Sequence, residues 1–313
     1  MNKTSFVIVS WNTKEYLEKC LNSLLEKCGK WKPEIIVVDN ASFDGSSYMV
    51  SRAFPSVVLI ANKENPGFGA AVNQGINVST GEDIVIMNSD VEFVNDILNV
   101  FGDFQKSNPR AGVLAPRLLN TDGSLQVSYN YLYPNVFGAL LSRLFFGSYI
   151  LLAVKTIGFV KKMLYAGERP RKIAWAGGSC LLVKRAALKK AGSFDENFFL
   201  YGEETDICRR IAASGFELYY LPQALVVHHQ FKSSGQNLER VFVEMYKSEL
   251  YYFRKYYGDF PEKIVRAAIF INLRLKVAVF SVIRRGDKRV ELSRNTMREL
   301  KKSLEGGNSN AKV

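Results

Sequence analysis

The chain has 313 residues, is 47% hydrophobic and 23% charged, and carries a formal net charge of +12. That length can bury a full core and holds one large domain or two smaller ones, and the apolar content excludes a disordered chain. No apolar stretch of about 20 residues runs uninterrupted, which argues against a spanning helix. Nor does an apolar segment of signal-peptide length follow Met1. The excess charge suits an anionic partner. It is concentrated late: from Lys232 to Val313 there are 18 Lys/Arg against 9 Asp/Glu. Cys20, Cys28, Cys180 and Cys208 form no CxxC and no metal spacing with the two histidines, so free thiols in a reducing compartment are expected.

In chain order, residues 5–9 predict a buried strand ended by Ser10, Trp11 and Asn12. Tyr16, Leu17, Cys20, Leu21, Leu24 and Leu25 then recur at helical spacing. Residues 34–38 predict a second strand running into Asp39, Asn40 and Asp44, with a helix to about Phe54. A third strand is expected over 56–60, and the loop 62–69 opens a helix from Ala70 to about Val78. Ile84-Val-Ile-Met87 predicts a fourth strand that runs into Asn88-Ser89-Asp90. This alternation predicts parallel βαβ units, whose right-handed crossovers bring the ends near 10, 39, 62 and 90 to one rim. Ligands of open α/β sheets bind at that rim.

The rim residues are Asp39, Asn40, Asp44, Asn65, Asn73 and Asp90. Asp90 beside Asn88 and Ser89 offers hard oxygen ligands to a divalent cation carrying phosphates, or forms an Asx-turn leaving the strand. Asp39 follows a buried strand and is expected to face the crevice, where a carboxylate accepts from a base N–H or a ribose hydroxyl; an Asx-turn with a helix cap fits it as well. Gly67 and Gly69 at a helix start allow close backbone approach to a phosphate or sugar.

A helix over 95–107 and a strand over 111–115 follow, then a turn at Asn120-Thr-Asp-Gly-Ser124. Residues 136–160 are apolar and aromatic, read either as an interfacial amphipathic segment or as buried helices against the C-terminal part. A strand at 179–183 and a helix at 185–190 precede Glu203-Glu204-Thr-Asp206, acids at a helix start. They suit the helix dipole, yet their crowding can raise one carboxyl pKa and yield a base. Strands over 217–221 and 224–227 end in His228-His229, followed by Lys232-Ser-Ser-Gly, which reads as a metal or diphosphate contact. The helix expected over 238–257 is rich in aromatics beside Lys and Arg, a composition that fits a membrane interface with anionic lipid or single-stranded nucleic acid. Residues 285–313 read as a frayed helix and a disordered tail.

Val9-Ser-Trp-Asn12, Val38-Asp-Asn-Ala-Ser42 with Asp44-Gly-Ser46, Asn65-Pro-Gly-Phe-Gly-Ala-Ala-Val-Asn73, Asn88-Ser-Asp90, Ala176-Gly-Gly-Ser179, Phe194-Asp-Glu196, Phe198-Phe-Leu-Tyr-Gly-Glu-Glu204 and His228 occur in this order. Over residues 5 to 235 the chain resembles family 2 glycosyltransferases of the GT-A fold, in the rhamnosyltransferase branch. The resemblance implies an α/β fold with a Rossmann-like, mostly parallel central sheet flanked by helices. The catalytic domain would cover 1–235, with a nucleotide-sugar half at 1–118 and an acceptor half at 119–235 that carries an apolar insertion near 136–165. Residues 236–313 would form a helical, basic, membrane-associating extension.

The roles implied are those of an inverting, metal-dependent transferase. Ser10, Asn12, Asp39, Asn40, Asp44, Asn65, Gly67, Asn73, Asn88, Asp90 and Lys232 would line the nucleotide sugar. Asp90 and His228 would hold Mg2+ or Mn2+, and Trp175, Gly177 and Gly178 would flank the acceptor. Glu204 matches the base position, where Asp is commoner, which leaves Glu203 and Asp206 as competitors. Asn88 replaces the first acid of a literal DXD. The expected partners are a dTDP- or UDP-linked sugar, a lipid-linked or polysaccharide acceptor and an anionic membrane surface, with no nucleic acid; the place is cytoplasmic, peripheral at the inner face of the cell membrane. A sugar nucleotidyltransferase lacks its Gly-rich phosphate loop here. A non-catalytic binding module that kept a degenerate transferase fold rests on Asn88 and Glu204.

Overall fold

A computed structural model describes residues 2–144, 167–230, 237–283 and 288–305. The N-terminal alternation folds as β1 (Thr4–Ser10), α1 (Lys14–Cys28), β2 (Glu34–Asp39), α2 (Ser46–Ala53), β3 (Val58–Ala61), α3 (Phe68–Val78) and β4 (Asp83–Asn88). Then come β5 (Val91–Phe93), α4 (Ile97–Ser107), β6 (Ala111–Leu119), β7 (Leu125–Gln126), β8 (Tyr129–Asn130) and α5 (Val136–Leu144). The second half comprises β9 (Arg171–Lys172), β10 (Trp175–Ala176), β11 (Cys180–Lys184), α6 (Arg185–Ala191), α7 (Glu203–Ala213) and β12 (Glu217–His228). Three helices close the described chain: α8 (Leu238–Tyr257), α9 (Asp259–Ile283) and α10 (Lys288–Glu305).

The central sheet runs β3-β2-β1-β4-β11-β6-β12-β5. The first four strands of that order are parallel, β11 is antiparallel to both β4 and β6, and β5 is antiparallel to β12. The strands are apolar on both faces because helices cover both. Phe6 and Ile8 of β1 enter one core with Leu17, Leu21 and Leu24 of α1, while Val7 and Val9 enter the other with Ala71 and Val72 of α3; successive side chains of a strand point to opposite faces. The four cysteines are buried and unpaired, and burial pushes the Cys28 thiol up to about 12, so it behaves as core filler.

The aromatic helix α8 differs from the membrane-interface expectation. Tyr246, Tyr252 and Phe253 are buried, and the helix is docked on the front of α7. The Arg209 guanidinium lies 4.0 Å from the Tyr256 ring centroid, with Tyr133, Tyr252 and Tyr257 around it, and it donates to the Tyr252 hydroxyl at 2.9 Å. Lys255 Nζ lies 2.6 Å from both Asp195 and Asp206. Burial opposes the charge on Asp195, but Lys255, Asn197 and Tyr251 override it and pull the carboxyl down to about 2. This latch therefore stabilises the fold above the ordinary carboxylate range and is lost as pH falls towards 2. Arg209→Ala should destabilise the protein by about 2 kcal/mol, the size of a desolvated cation–π contact. Urea unfolding reads this directly, and an unchanged midpoint would mean that the rings are held without the guanidinium.

Helix α10 is better ordered than the frayed helix expected of its sequence, with Ser293, Thr296 and Leu300 buried and Leu300 packed with Leu250 and Ile269. The expected disordered tail from 306 onward and most of the apolar insertion, 145–166, lie outside the described residues. No described helix is long and apolar enough to cross a membrane.

Candidate active site

A cavity of about 400 Å³ opens where the ends of β1, β2 and β4 meet the starts of α3 and α7, the end of β12 and the first turns of α8. Asn88 and Asp90 line it, as do Asn40, Asn65 and Gly67, the Gly177-Gly178 turn, Glu203, Glu204 and His228. Chain topology alone gathers these, since strands that run parallel deliver their C-terminal ends to one rim.

On one wall, His228 Nε2 lies 3.2 Å from Asp90 Oδ1, and the Asn88 amide lies 3.5 Å from the same nitrogen. The other ring nitrogen, Nδ1, lies 2.8 Å from Gln126 Oε1. With Nδ1–H donating to that carbonyl oxygen, Nε2 carries its lone pair towards a carboxylate. A lone pair and a carboxylate oxygen facing each other lack a shared hydrogen and suit a cation between them. No cluster of three or more His, Cys, Asp or Glu occurs among the described residues. Two protein ligands still fit Mg2+ or Mn2+, which are commonly held by one or two side chains plus phosphates and water. The expected histidine pair splits: His229 follows the strand end and pairs with Glu92 at 2.6 Å, off the cavity wall. Asp90 is anchored from behind, its backbone oxygen accepting from His229 N at 3.0 Å. A buried hydroxyl chain, Ser10–Thr13–Ser89, with contacts of 3.1 and 2.7 Å, ties the end of β1 to the Asn88-Ser89-Asp90 turn.

The same cavity is lined by Glu203 and Glu204, only 4% and 9% exposed, each with one carboxyl oxygen lacking a hydrogen-bond partner. Burial pushes Glu203 well above the usual carboxylate range, and the neighbouring Glu204 charge pushes it further. Burial also raises Glu204, against backbone hydrogen bonds and the Glu203 contact that pull it down. Both carboxyls of the pair are thus shifted towards the protonated form, which suits either to a proton-transfer role. Asp206, the third acid, lies off the cavity wall. It is fully buried and saturated by Arg210, Lys255 and Tyr256, the last donating at 2.6 Å. The crowding seen in sequence is thus relieved by the α7 helical period, which turns Asp206 to a different face.

Several residues expected to contact the donor make hydrogen bonds within the surrounding loops. The Asp39 carboxylate accepts from Ser42 N, Ser42 Oγ and Ser47 Oγ at 3.2, 2.5 and 2.6 Å, and lies off the cavity wall. Those bonds fill three of about four acceptor positions, so the Asx-turn alternative describes its geometry. Asp44 accepts from Lys14 N at 2.7 Å and from Ser46, and Asn12 Oδ1 accepts from Phe43 N at 2.9 Å; both brace the 40–46 loop. Asn73 is a staple, donating to Phe194 O at 2.9 Å and to Glu196 at 2.8 Å. Trp175 donates to Leu132 O at 3.0 Å and does not line the cavity. Lys232 lies outside the described residues. Gly67 is required where it stands: its φ is +93°, and a Cβ would sit 2.6 Å from Phe199 O.

The wall also holds residues that sequence reasoning missed. Trp11 was seen only as a strand-end marker. Gln126 carries no local signal. Arg240 on α8 was read as part of a basic membrane helix, yet it lines the cavity, rests 5.1 Å from the Phe199 ring and makes no ion pair among the described residues.

The sequence matches the model of glycosyl transferase family 2 over residues 5–192. This chain belongs to glycosyl transferase family 2. It is 30% identical over 243 residues to the N-acetylglucosaminyl-diphospho-decaprenol L-rhamnosyltransferase of Mycobacterium tuberculosis, covering 74% of this chain and 77% of that one. A low-salt glycan biosynthesis hexosyltransferase of Haloferax volcanii is 23% identical over 75% of this chain and 72% of its own. Among solved structures, a mannosyltransferase from Pyrobaculum calidifontis in complex with GDP-Man and Mn2+ superposes with a TM-score of 0.57 at 15% identity, over 98% of this chain and 88% of that one. The S. aureus TarS fragment 1–349 superposes at 0.52 and 15% identity, over 98% and 93%. The family 2 glycosyltransferase thus has the GT-A fold, with the expected parallel half and an antiparallel β11 inserted at its centre.

Proposed function

We propose that this family 2 glycosyltransferase moves rhamnose, or another hexose, from a dTDP- or UDP-linked donor to a lipid-linked acceptor in cell-surface glycan synthesis, with inversion at the transferred carbon. The observation that carries this reading is the cavity itself, lined both by the facing Asp90 and His228 and by a raised carboxyl pair. The relative that names a rhamnosyl product and a diphospho-lipid acceptor matches across most of the chain.

In this reading the donor diphosphate lies against Asp90, His228 and Arg240. Mg2+ or Mn2+, held by Asp90 and His228, would neutralise charge on the departing diphosphate. Arg240 supplies a further cation, the fixed one that this helix brings to an otherwise acidic wall. Asn40, Asn65 and the bare backbone at Gly67 border the nucleotide, and the Asp39 loop holds Asn40 in place. Glu204 accepts the proton of the acceptor hydroxyl as that oxygen attacks from the face opposite the leaving group. Glu203, raised beside it, is the competing candidate for that role. The acceptor enters over the Gly177-Gly178 turn, where a Cβ on Gly178 would come within 3.3 Å of the Phe68 ring.

A membrane-facing acceptor suits the surface around α5, where Leu132 and Phe137 are 76% and 74% exposed and Ile271 and Leu275 of α9 stand beside them half-exposed. The test is one donor screen: dTDP- and UDP-sugars, with Mn2+ or Mg2+, against a prenyl-diphosphate-linked sugar in anionic vesicles, with product analysis by mass spectrometry. Transfer from one donor with an inverted linkage is expected. Absence of any metal-dependent transfer or nucleotide binding would favour a non-catalytic module.

A further inference from the structure

The turn at residues 120–124 has no part in the reading above, yet a directed chain of hydrogen bonds runs from it to the cavity. It starts at Asp122, where Ser124 Oγ donates to Oδ1 at 2.6 Å. The Ser124 side chain and backbone N–H hold this carboxyl below its ordinary value, so it only accepts. Ser124 Oγ, having given its hydrogen to Asp122, must accept from the Asn120 amide at 2.9 Å. That orients Asn120 with Oδ1 outward, where it accepts from Gln126 Nε2 at 3.1 Å and from Gln230 Nε2 at 3.2 Å. Gln126 then has only Oε1 to present to His228 Nδ1, at 2.8 Å. Each step of the path pairs a donor with an acceptor, from the exposed Asp122–Ser124 turn inward to the imidazole.

We infer that Gln126 is a positioning residue for the metal site: oriented by Asn120, Ser124 and Asp122, it holds His228 with the hydrogen on Nδ1 and the Nε2 lone pair facing Asp90. This rests on the metal-assisted reading above and deepens it. An imidazole left to choose between its two tautomers, and to rotate, would present Nε2 as an acceptor only part of the time. The acceptor on Nδ1 removes both freedoms and makes Nε2 a better donor to a cation. Residues 120–124 thus act on the chemistry from outside the cavity wall, which is why a turn signal is all that their sequence displays.

The test measures Mn2+ binding rather than turnover. The full-length chain is titrated with Mn2+ in the presence of UDP or dTDP, and free Mn2+ is read by electron paramagnetic resonance; melting curves show that each variant is folded. Gln126→Leu, which keeps the bulk and deletes the acceptor, should weaken Mn2+ binding about 10- to 100-fold, the range seen when partners of metal-ligating histidines are removed. Gln126→Glu, which keeps an acceptor on Nδ1, should restore most of it. His228→Ala should match or exceed the Leu variant. Equal Mn2+ affinity in Gln126→Leu and the wild type would overturn the inference, as would a Glu variant no better than the Leu variant or an unaffected His228→Ala. A wild-type chain that binds no Mn2+ with either nucleotide would instead overturn the metal-assisted reading on which it rests.

Discussion

Glu204→Gln is expected to lower the rate of sugar transfer by about 1,000-fold, within the range for loss of a general base, while nucleoside diphosphate binding stays within about twofold. Gln has nearly the shape of Glu and keeps the α7 start intact, so the loss reports the missing proton acceptor. Steady-state kinetics with the donor identified by the screen gives the rate, and calorimetry with UDP or dTDP gives the binding. Retention of more than a tenth of the wild-type rate would remove Glu204 from the base role and return attention to Glu203. The same assignment sets the pH profile. Because burial raises the Glu204 pKa, the rate should climb with pH through a value above the ordinary glutamate range, as the base must be ionised to work.

Asp90→Ala should abolish the metal dependence of donor binding and reduce kcat/KM by at least about 100-fold, as expected when a hard-oxygen ligand and its charge leave a metal-assisted phosphate site. The effect is large because the described cavity holds only Asp90 and His228 as a facing pair, with no nearby carboxylate in the position of Asn88 to substitute. Calorimetric titration of UDP or dTDP with and without Mn2+ compares the two proteins. Metal-enhanced binding that survives in Asp90→Ala would place the cation elsewhere. Asn88→Asp offers the converse: a second carboxylate beside the first should tighten Mn2+ binding, in line with harder and more numerous oxygen ligands.

The parallel half of the fold was legible because its signals are local. Buried strands of four to six residues, helices at 3.6-residue spacing and turn residues between them each depend on neighbours in sequence, and β1 to β4 fall within about two residues of where hydropathy put them. The antiparallel β11 was visible as a strand, but its place between β4 and β6 depends on partners 68 to 101 residues away. Residues 285–305 read as a frayed helix because their charges are local, whereas burial of Leu300 against α8 and α9 is not.

The site divides along the same line. Asp90, Glu203, Glu204 and His228 stood out as carboxylates or an imidazole after a buried strand or at a helix start, although an Asx-turn and the helix dipole also account for such acids. Asp39, Asp44 and Asn73 looked identical by that criterion, and only their partners separate them: the loop serines, the Lys14 amide and the 194–196 loop claim their polar atoms. Asp206 looked like a third member of an acidic cluster until Lys255 and Arg210 arrived from other turns and another helix.

By itself the sequence determined the order of strands and helices, the rim on which they end, the family and the acidic cluster at 203–206, because these follow from periodicity and from residue chemistry along the chain. Tertiary structure alone decided which polar groups face the cavity, that an aromatic basic helix packs on α7 and lends it Arg240, and that a turn at 120–124 reaches His228 through Gln126. Those outcomes depend on which hydrogen-bond donors meet which acceptors across long sequence separations, and no local pattern encodes that.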